Sequence, residues 1–271
     1  MIGGDRRQAE LARLLEADGH DVRTYGLEGR SAAGSVALER AVEAEVVVLP
    51  LPLCRGDGVL NCDEAPMPTA ELFRRLRPGQ IVLAGQVKAD QKREAAEVGI
   101  ELSDYFLREE LTVANAAATA EGAVQTAMEH LDRTLLGMEC LVLGFGRIGK
   151  LLAFRLHGLG ARVTAAARKP ADLAWIRAYG WAALPLHGLK ECSLERFGAV
   201  FNTIPSPVLD ASLLARLSAD CLCVELASAP GIDLAAADAL ELPCVWARSL
   251  PGHLMPRTAA EAIRDAVYHM I

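Results

Sequence analysis

No stretch of this chain approaches the ~20 uninterrupted apolar residues of a membrane span. The opening Met1-Ile2-Gly3-Gly4-Asp5-Arg6 also lacks the apolar segment of a signal peptide. The expectation is a soluble, cytoplasmic protein. CxxC is absent, and the cysteines number seven, which is odd. Cys221 and Cys223 flank Leu222 in a strand-like run and so share one face. Paired disulfides and a zinc site drop out on this pattern. Cys140, Cys221 and Cys223 read as buried reduced thiols, and no metal is expected. Positive charge is in deficit: the formal net charge is −7. That excludes a broad nucleic-acid surface but leaves room for a small basic pocket. There is no low-complexity segment and no solenoid-length repeat.

What is present is a 271-residue chain, 52% hydrophobic, which suits one large domain or two of roughly 100–200 residues each. Short apolar runs alternate with amphipathic stretches. Residues 45–49 and 80–84 read as buried strands, with Thr69 to Arg77 at helical spacing between them. Such βαβ alternation predicts parallel sheets covered by helices. Gly3-Gly4-Asp5 resembles the turn after a strand and Gln8 to Ala17 the helix that follows. Only Met1-Ile2 precede that turn, so the first strand is either very short or begins upstream. An alanine-rich helix over about Thr112 to Leu136 marks the domain boundary. Beyond it, 139–143, 162–167, 199–202 and 221–226 read as strands, and 147–159 and 209–217 as helices. The expected architecture is α/β: two Rossmann-like domains with parallel sheets, joined by a long helix, with a cleft between them. The first domain is 1–113. The linking helix and dinucleotide domain are 114–255. An amphipathic helix at 256–271 packs back on the first.

Gly144-Phe145-Gly146-Arg147-Ile148-Gly149 matches G-x-G-x-x-G between an apolar strand and a helix. Gly144 permits the tight turn, Gly146 lets backbone approach a pyrophosphate, and Gly149 allows close helix–strand packing. The helix start then faces the phosphates with unpaired N–H groups. Where NAD sites usually place a carboxylate, about 20 residues on, this chain has Ala167-Arg168-Lys169. Two cations suit a ribose 2′-phosphate, so NADP is expected over NAD, although Asp172 would serve a ribose hydroxyl. The loops carrying Thr203, Ile204 and Pro205, and Ser228, leave the carboxyl ends of later strands and would flank the nicotinamide. Plain turns explain their prolines equally well.

A nicotinamide cofactor implies hydride transfer. The loop Leu250 to Thr258 opens the last helix, and its N–H groups with Arg257 and Thr258 would bind a carboxylate. His253 is the base by residue type. Glu121, beside Gly122 in an alanine-rich helix, reads as a cleft carboxylate that handles a proton. Arg6 and Arg7 follow the Gly3-Gly4 turn, and Arg6 is the expected anion ligand. Exposed loop or helix charges are the bland reading of each.

Taken together, these residues resemble the A-subunit family of dipicolinate synthase over nearly the full length. The matching segments are Ile2-Gly3-Gly4-Asp5 with Gln8; Asn115 with Thr119-Ala120-Glu121-Gly122; Leu143 to Arg147; Ala167-Arg168; Asn202 to Ser206; Leu226-Ala227-Ser228 with Pro230-Gly231; and Leu250-Pro251-Gly252 with Pro256 and Thr258-Ala259. The chain departs from the family in its short first strand, in His253 where an apolar residue is usual, and in lacking a proline within residues 115–118. The resemblance implies an NADP-dependent oxidoreductase of sporulation, acting in the mother cell. It would convert 4-hydroxy-tetrahydrodipicolinate, with loss of water and two electrons, to dipicolinate. A flavoprotein-like second subunit is implied, and so is an oligomer. Asn115, Thr119, Arg6, Arg257 and Thr258 would hold the cyclic dicarboxylate, and Glu121 or His253 would accept the proton. Two other readings stay open at this point: a 2-hydroxyacid-dehydrogenase-like enzyme, using Glu225 and His253, and a non-catalytic NADP-binding partner of a flavoprotein.

Overall fold

The computed structural model describes residues 1–27, 34–56 and 58–271. Its first elements are α1 (Arg6–Ala17), α2 (Leu38–Ala41), β1 (Val46–Val48), α3 (Thr69–Arg75), β2 (Ile81–Ala84), α4 (Ala89–Glu97), β3 (Leu102–Asp104) and the long α5 (Glu109–His130). Then come β4 (Glu139–Leu143), α6 (Arg147–Gly158), β5 (Arg162–Ala167), α7 (Pro170–Ala178), β6 (Ala182–Pro185), β7 (Ala199–Asn202), α8 (Ala211–Leu214), β8 (Leu222–Glu225), α9 (Leu234–Ala239) and β9 (Cys244–Trp246). Last are α10 (Leu250–Leu254) and α11 (Pro256–Tyr268). The chain divides into two compact units: Met1–Asn115 with Pro251–Ile271, and Ala116–Leu250. Among the described residues, no helix is long and apolar enough to cross a membrane.

The first unit is built on a parallel sheet in the order β1-β2-β3. The segment before the Gly3-Gly4 turn is reduced to a bridge: Ile2 pairs with Tyr25 and its N–H donates to the Val48 carbonyl at 3.2 Å. Alternation along the strands sends Val47 and Val82 to one core with Leu72 and Phe73, and Val48 and Leu83 to another. That second core is covered by Leu11 and Leu15 of α1 and by Ile263 and Val267 of α11. Helix α1 starts where it does because Asp5 accepts from the Arg7 N–H while the Gln8 side chain accepts from the Asp5 N–H, a reciprocal capping box. Helix α11 buries Ala259, Ala260, Ile263, Ala266 and Val267, the three-to-four spacing of one helical face.

The second unit carries a six-stranded parallel sheet in the order β6-β5-β4-β7-β8-β9. Both faces are buried: Cys140, Val142, Phe201 and Val224 serve one core, and Leu141, Leu143, Val200 and Cys223 the other. The strand order reverses at the junction of β4 and β7. In open α/β sheets ligands lie outside the carboxyl ends at that switch point.

Three boundaries differ from the sequence expectation. The helix expected over 112–136 starts earlier, at Glu109, because Glu109 and Glu110 place two carboxylates against the positive end of its dipole. The helix expected over 209–217 contracts to Ala211–Leu214, capped by Asp210, whose carboxylate accepts the Leu213 N–H at 3.0 Å. The segment from Leu250 to Thr258 is not a loop. It forms α10, breaks at Met255, and continues as α11. Pro251 and Pro256 each sit in a first helical turn, where proline lacks only an N–H that would be unpaired anyway.

Candidate functional site

In the second unit, β4 runs into Gly144, whose φ of +97° belongs to the region glycine tolerates. A Cβ there would collide with the Thr203 hydroxyl, and one at Gly149 would collide with the Gly144 carbonyl oxygen. The turn is fixed by Gly144 N–H donating to Ala166 at 2.9 Å, and by Thr203, whose N–H and hydroxyl both donate to the Leu143 carbonyl at 2.9 Å. Gly146 caps α6 in extended conformation and supplies no side-chain acceptor. The first N–H groups of α6 therefore point outward at an exposed turn with no cap, which is what a diphosphate requires. Phe145 is buried beneath it, Ile148 half-buried, and Arg147 exposed. Arg168 and Lys169 stand exposed immediately after β5, with Lys169 as the N-cap of α7. Asp172 lies a turn further along.

The loops after β7 and β8 are joined by one buried carboxylate. Glu225, fully buried, accepts from Asn202 Nδ2 at 2.9 and 2.8 Å, from Ala227 N–H and Gly231 N–H at 2.8 Å each, and from Ile232 N–H at 3.0 Å. Asn202, also fully buried, in turn accepts the Ile204 N–H at 3.0 Å. Thr203 and Ile204 are thereby held half-buried, with Pro205 and Ser228 exposed at the tips. Every acceptor position of Glu225 is engaged, so it serves as a strut for these loops. So engaged, Glu225 is not free to serve in the Arg, Glu and His constellation of a 2-hydroxyacid dehydrogenase.

In the first unit, Arg7 rather than Arg6 is the buried cation. Arg6 is exposed, whereas Arg7 is 6% exposed. Arg7 donates through Nη2 to Asp5 at 2.7 Å and to the Leu51 carbonyl. Burial opposes ionisation of Asp5, but the hydrogen bonds and charge of Arg7, with a smaller share from His253, outweigh it and hold the carboxyl below the usual aspartate range. Helix α10 passes close to this pair: a Cβ on Gly252 would stand 3.0 Å from Arg7 Nε. Among the described residues, the buried Asn61 Oδ1 has no hydrogen-bond partner. Nearby, Asp104 accepts the N–H groups of Gln86 at 3.1 Å, Val87 at 2.9 Å and Phe106 at 2.8 Å, and Gln86 has a φ of +55°. A side-chain-bearing residue held there is a strained position of the kind that clusters at ligand sites. These loops follow Ile2, β1 and β2 at the carboxyl ends of the strands.

Other expected site residues fall in both units. Asn115 is half-buried and Thr119 buried, one turn apart on α5. Glu121 is 54% exposed and ion-paired with Arg155 at 2.8 Å, so its outward position answers to α6. Arg257 is 77% exposed and pairs with Glu261 at 3.2 Å, and Thr258 is exposed. His253 is exposed on α10, beside the Asp5–Arg7 pair. Sequence reading missed the roles of Asp5, Arg7, Asp104 and Glu225. Only the first had a local signal, the Asp5-x-x-Gln8 capping box.

Two parallel-sheet units, one with a glycine turn opening an uncapped helix, define a dehydrogenase-like α/β protein. D-lactate dehydrogenase from Escherichia coli shares this fold at a TM-score of 0.62 and 13% identity, covering 100% of this chain and 96% of that one. Within that class the relationship is narrower. Residues 1–106 match the family model described as the N-terminal domain of the dipicolinate synthase A-subunit. The dipicolinate synthase A-subunit of Bacillus subtilis (strain 168) is 28% identical over 281 residues, covering 100% of this chain and 94% of the relative. A crystal structure of the Bacillus subtilis A-subunit superposes at a TM-score of 0.85 with 28% identity, covering 99% of this chain and 93% of that one. This chain is thus similar to the dipicolinate synthase A-subunit along its whole length.

Proposed function

We propose that this chain is the NADP-dependent, dehydrogenase-type subunit of a dipicolinate synthase. The observation that carries the reading is the uncapped Gly144–Gly149 turn, with Arg168 and Lys169 where a carboxylate would select NAD, in a whole-length relative of that subunit. The backbone of Gly144, Gly146, Arg147, Ile148 and Gly149 would hold the diphosphate, and the collision a Cβ would make at Gly149 is the fit expected of such a turn. Arg168 and Lys169 would take the 2′-phosphate. Thr203, Ile204, Pro205 and Ser228 would border the nicotinamide. NADP, when bound, supplies the hydride acceptor.

4-Hydroxy-tetrahydrodipicolinate first loses water. The resulting dihydropyridine then gives up one hydride and one proton and becomes aromatic dipicolinate. Its two carboxylates need cations, and Arg7, held rigid by Asp5, is the best placed of the first unit, with Arg6 and Arg257 as exposed auxiliaries. Asn115 and Thr119 would bond substrate polar groups. His253, exposed beside Asp5 and Arg7, is the favoured proton acceptor, and Glu121 the second choice because Arg155 already engages it. The reading is completed by a flavoprotein-like second subunit, with action in the mother-cell cytoplasm of a sporulating bacterium.

The test has two parts. Calorimetry on the intact chain should show uptake of NADP tighter than NAD. With the second subunit present, NADP reduction should follow addition of 4-hydroxy-tetrahydrodipicolinate. His253→Gln should lower kcat by about 10²–10⁴-fold, the usual range for a general base, with Glu121→Gln near wild type. No uptake of either dinucleotide overturns the proposal. A collapse in Glu121→Gln alone reassigns the base.

A further inference from the structure

We infer that the outer face of α6, α7 and the start of β6 is the docking surface for a partner protein whose own surface sets carboxylates among apolar side chains. The inference rests on the reading of this chain as half of a two-subunit synthase, and it supplies the surface to which the second subunit binds.

Phe145, Phe154, Trp175, Tyr179 and Trp181 form one connected set of rings, which includes two of the three tryptophans of the chain. Trp175 and Tyr179 stack at 5.8 Å, Tyr179 meets Trp181 at 5.0 Å, and Phe154 meets Trp181 at 6.5 Å. Phe145 and Trp181 are buried and anchor the set, but Phe154 is 64%, Trp175 56% and Tyr179 47% exposed. At ~150–250 Å² per aromatic side chain, these three leave on the order of 300 Å² of ring surface in water, the scale of a functional patch on a monomer. Large aromatics clustered in this way supply the buried centre of protein–protein interfaces.

Charge selects the occupant. The segment Gly144–Trp181 holds seven Lys and Arg residues and one carboxylate, Asp172, in a protein of formal net charge −7. Arg155 and Arg162 pair with Glu121 and Glu139, and Arg147, Arg168 and Lys169 belong to the dinucleotide site. Around the rings that leaves Lys150, whose Nζ lies 5.5 Å from the Phe145 ring centre, and His157, at 6.1 Å from Trp181. A symmetric pairing of two copies through this face would oppose cation to cation. A polyanion such as RNA would meet the acidic remainder of the protein. A protein with carboxylates around apolar groups satisfies both the rings and their rim. Phe154 lies seven residues along α6 from Arg147, a rise of about 10 Å, so the exposed rings stand about two turns beyond the phosphate-binding turn, although buried Phe145 at their base belongs to it.

The experiment uses the full chain and the purified second subunit, with sedimentation velocity and calorimetry. Phe154→Ser combined with Trp175→Ser should raise the Kd for the second subunit by at least about 30-fold, the loss expected of a central aromatic pair. NADP affinity should be unchanged, which shows that the variant is folded. Lys150→Gln should slow association and flatten its salt dependence. Leu107→Ser, at a residue 74% exposed in the other unit, should change nothing. The inference is overturned if the double variant binds the second subunit no less tightly than wild type, or if Leu107→Ser weakens binding equally. It is also overturned if wild-type chain alone is a dimer that the double variant converts to monomer. Absence of any association between wild-type chain and second subunit refutes the two-subunit reading itself, a result distinct from the other three.

Discussion

Glu225→Gln isolates the strut beneath the loops after β7 and β8. The carboxylate accepts five N–H···O contacts from four residues, all within 3.0 Å. A glutamine amide keeps one oxygen. Placed toward Gly231 and Ile232, that oxygen preserves two backbone bonds but turns an NH₂ against the Ala227 N–H and the Asn202 amide. The variant therefore loses about 1.5–3 kcal/mol of charge-assisted hydrogen bonding and leaves a buried donor unpaired at about 1–3 kcal/mol. A total of about 2.5–6 kcal/mol is a large share of a typical stability of about 5–15 kcal/mol. All three tryptophans, Trp175, Trp181 and Trp246, lie in the second unit, so tryptophan fluorescence in a urea titration follows that unit alone. With a slope of about 2 kcal/mol per molar, the midpoint should fall by about 2 M. NADP uptake should weaken with it, because Thr203, Ile204 and Ser228 are tethered through the same group. A midpoint within about 0.3 M of wild type would refute the strut, since no rearrangement satisfies all of these donors with a single oxygen.

Arg168→Asp should reduce the preference for NADP over NAD by about 10–100-fold, the value of one charge-assisted bond; an unchanged ratio in paired calorimetric titrations removes the 2′-phosphate role. Gly149→Ala drives a methyl into the Gly144 carbonyl and should cost about 1–3 kcal/mol by overpacking together with most dinucleotide affinity; retained affinity would mean that the turn tolerates a wider strand–helix gap. Asp5 is held below the ordinary aspartate value, so its contribution to stability is full above about pH 4 and fades as pH falls through the lower folded value. The denaturation midpoint of the first unit should thus drop more steeply as pH falls below about 4 in wild type than in Asp5→Asn, and equal slopes would contradict the pairing with Arg7.

The central strands are legible in the sequence because they are long and buried on both faces. Glu139–Leu143, Arg162–Ala167 and Ala199–Asn202 stand out as apolar runs bounded by turn residues. β3, β6 and β9 do not, and each lies at the end of its sheet order. An edge strand buries less, so Leu102–Asp104 and Cys244–Trp246 carry three residues and no alternation long enough to count. The glycine turn is legible because its chemistry is local: each glycine answers to a neighbour within a few residues or to the next loop. Arg7 is harder. Arg6 and Arg7 are adjacent and chemically equal in the sequence, and which one is buried depends on the phase of α1 and on Leu51, 44 residues away.

One device in both units has no sequence signature. The last residue of β3, Asp104, and the last residue of β8, Glu225, are buried carboxylates that accept backbone N–H groups from loops at the carboxyl ends of their sheets. Their partners are main-chain amides, so any residue type satisfies them and no motif marks the contact. The physical return is rigidity. Those loops carry the groups proposed to face ligand, and loops ordinarily lie at the low-stability end of a fold. Tying several N–H groups to one anion fixes the loop before ligand arrives, which lowers the ordering entropy that binding would otherwise have to overcome. On this argument the two carboxylates are needed for site geometry without touching ligand, and their loss should be felt first in the loops they hold and only secondarily in the strands that bear them.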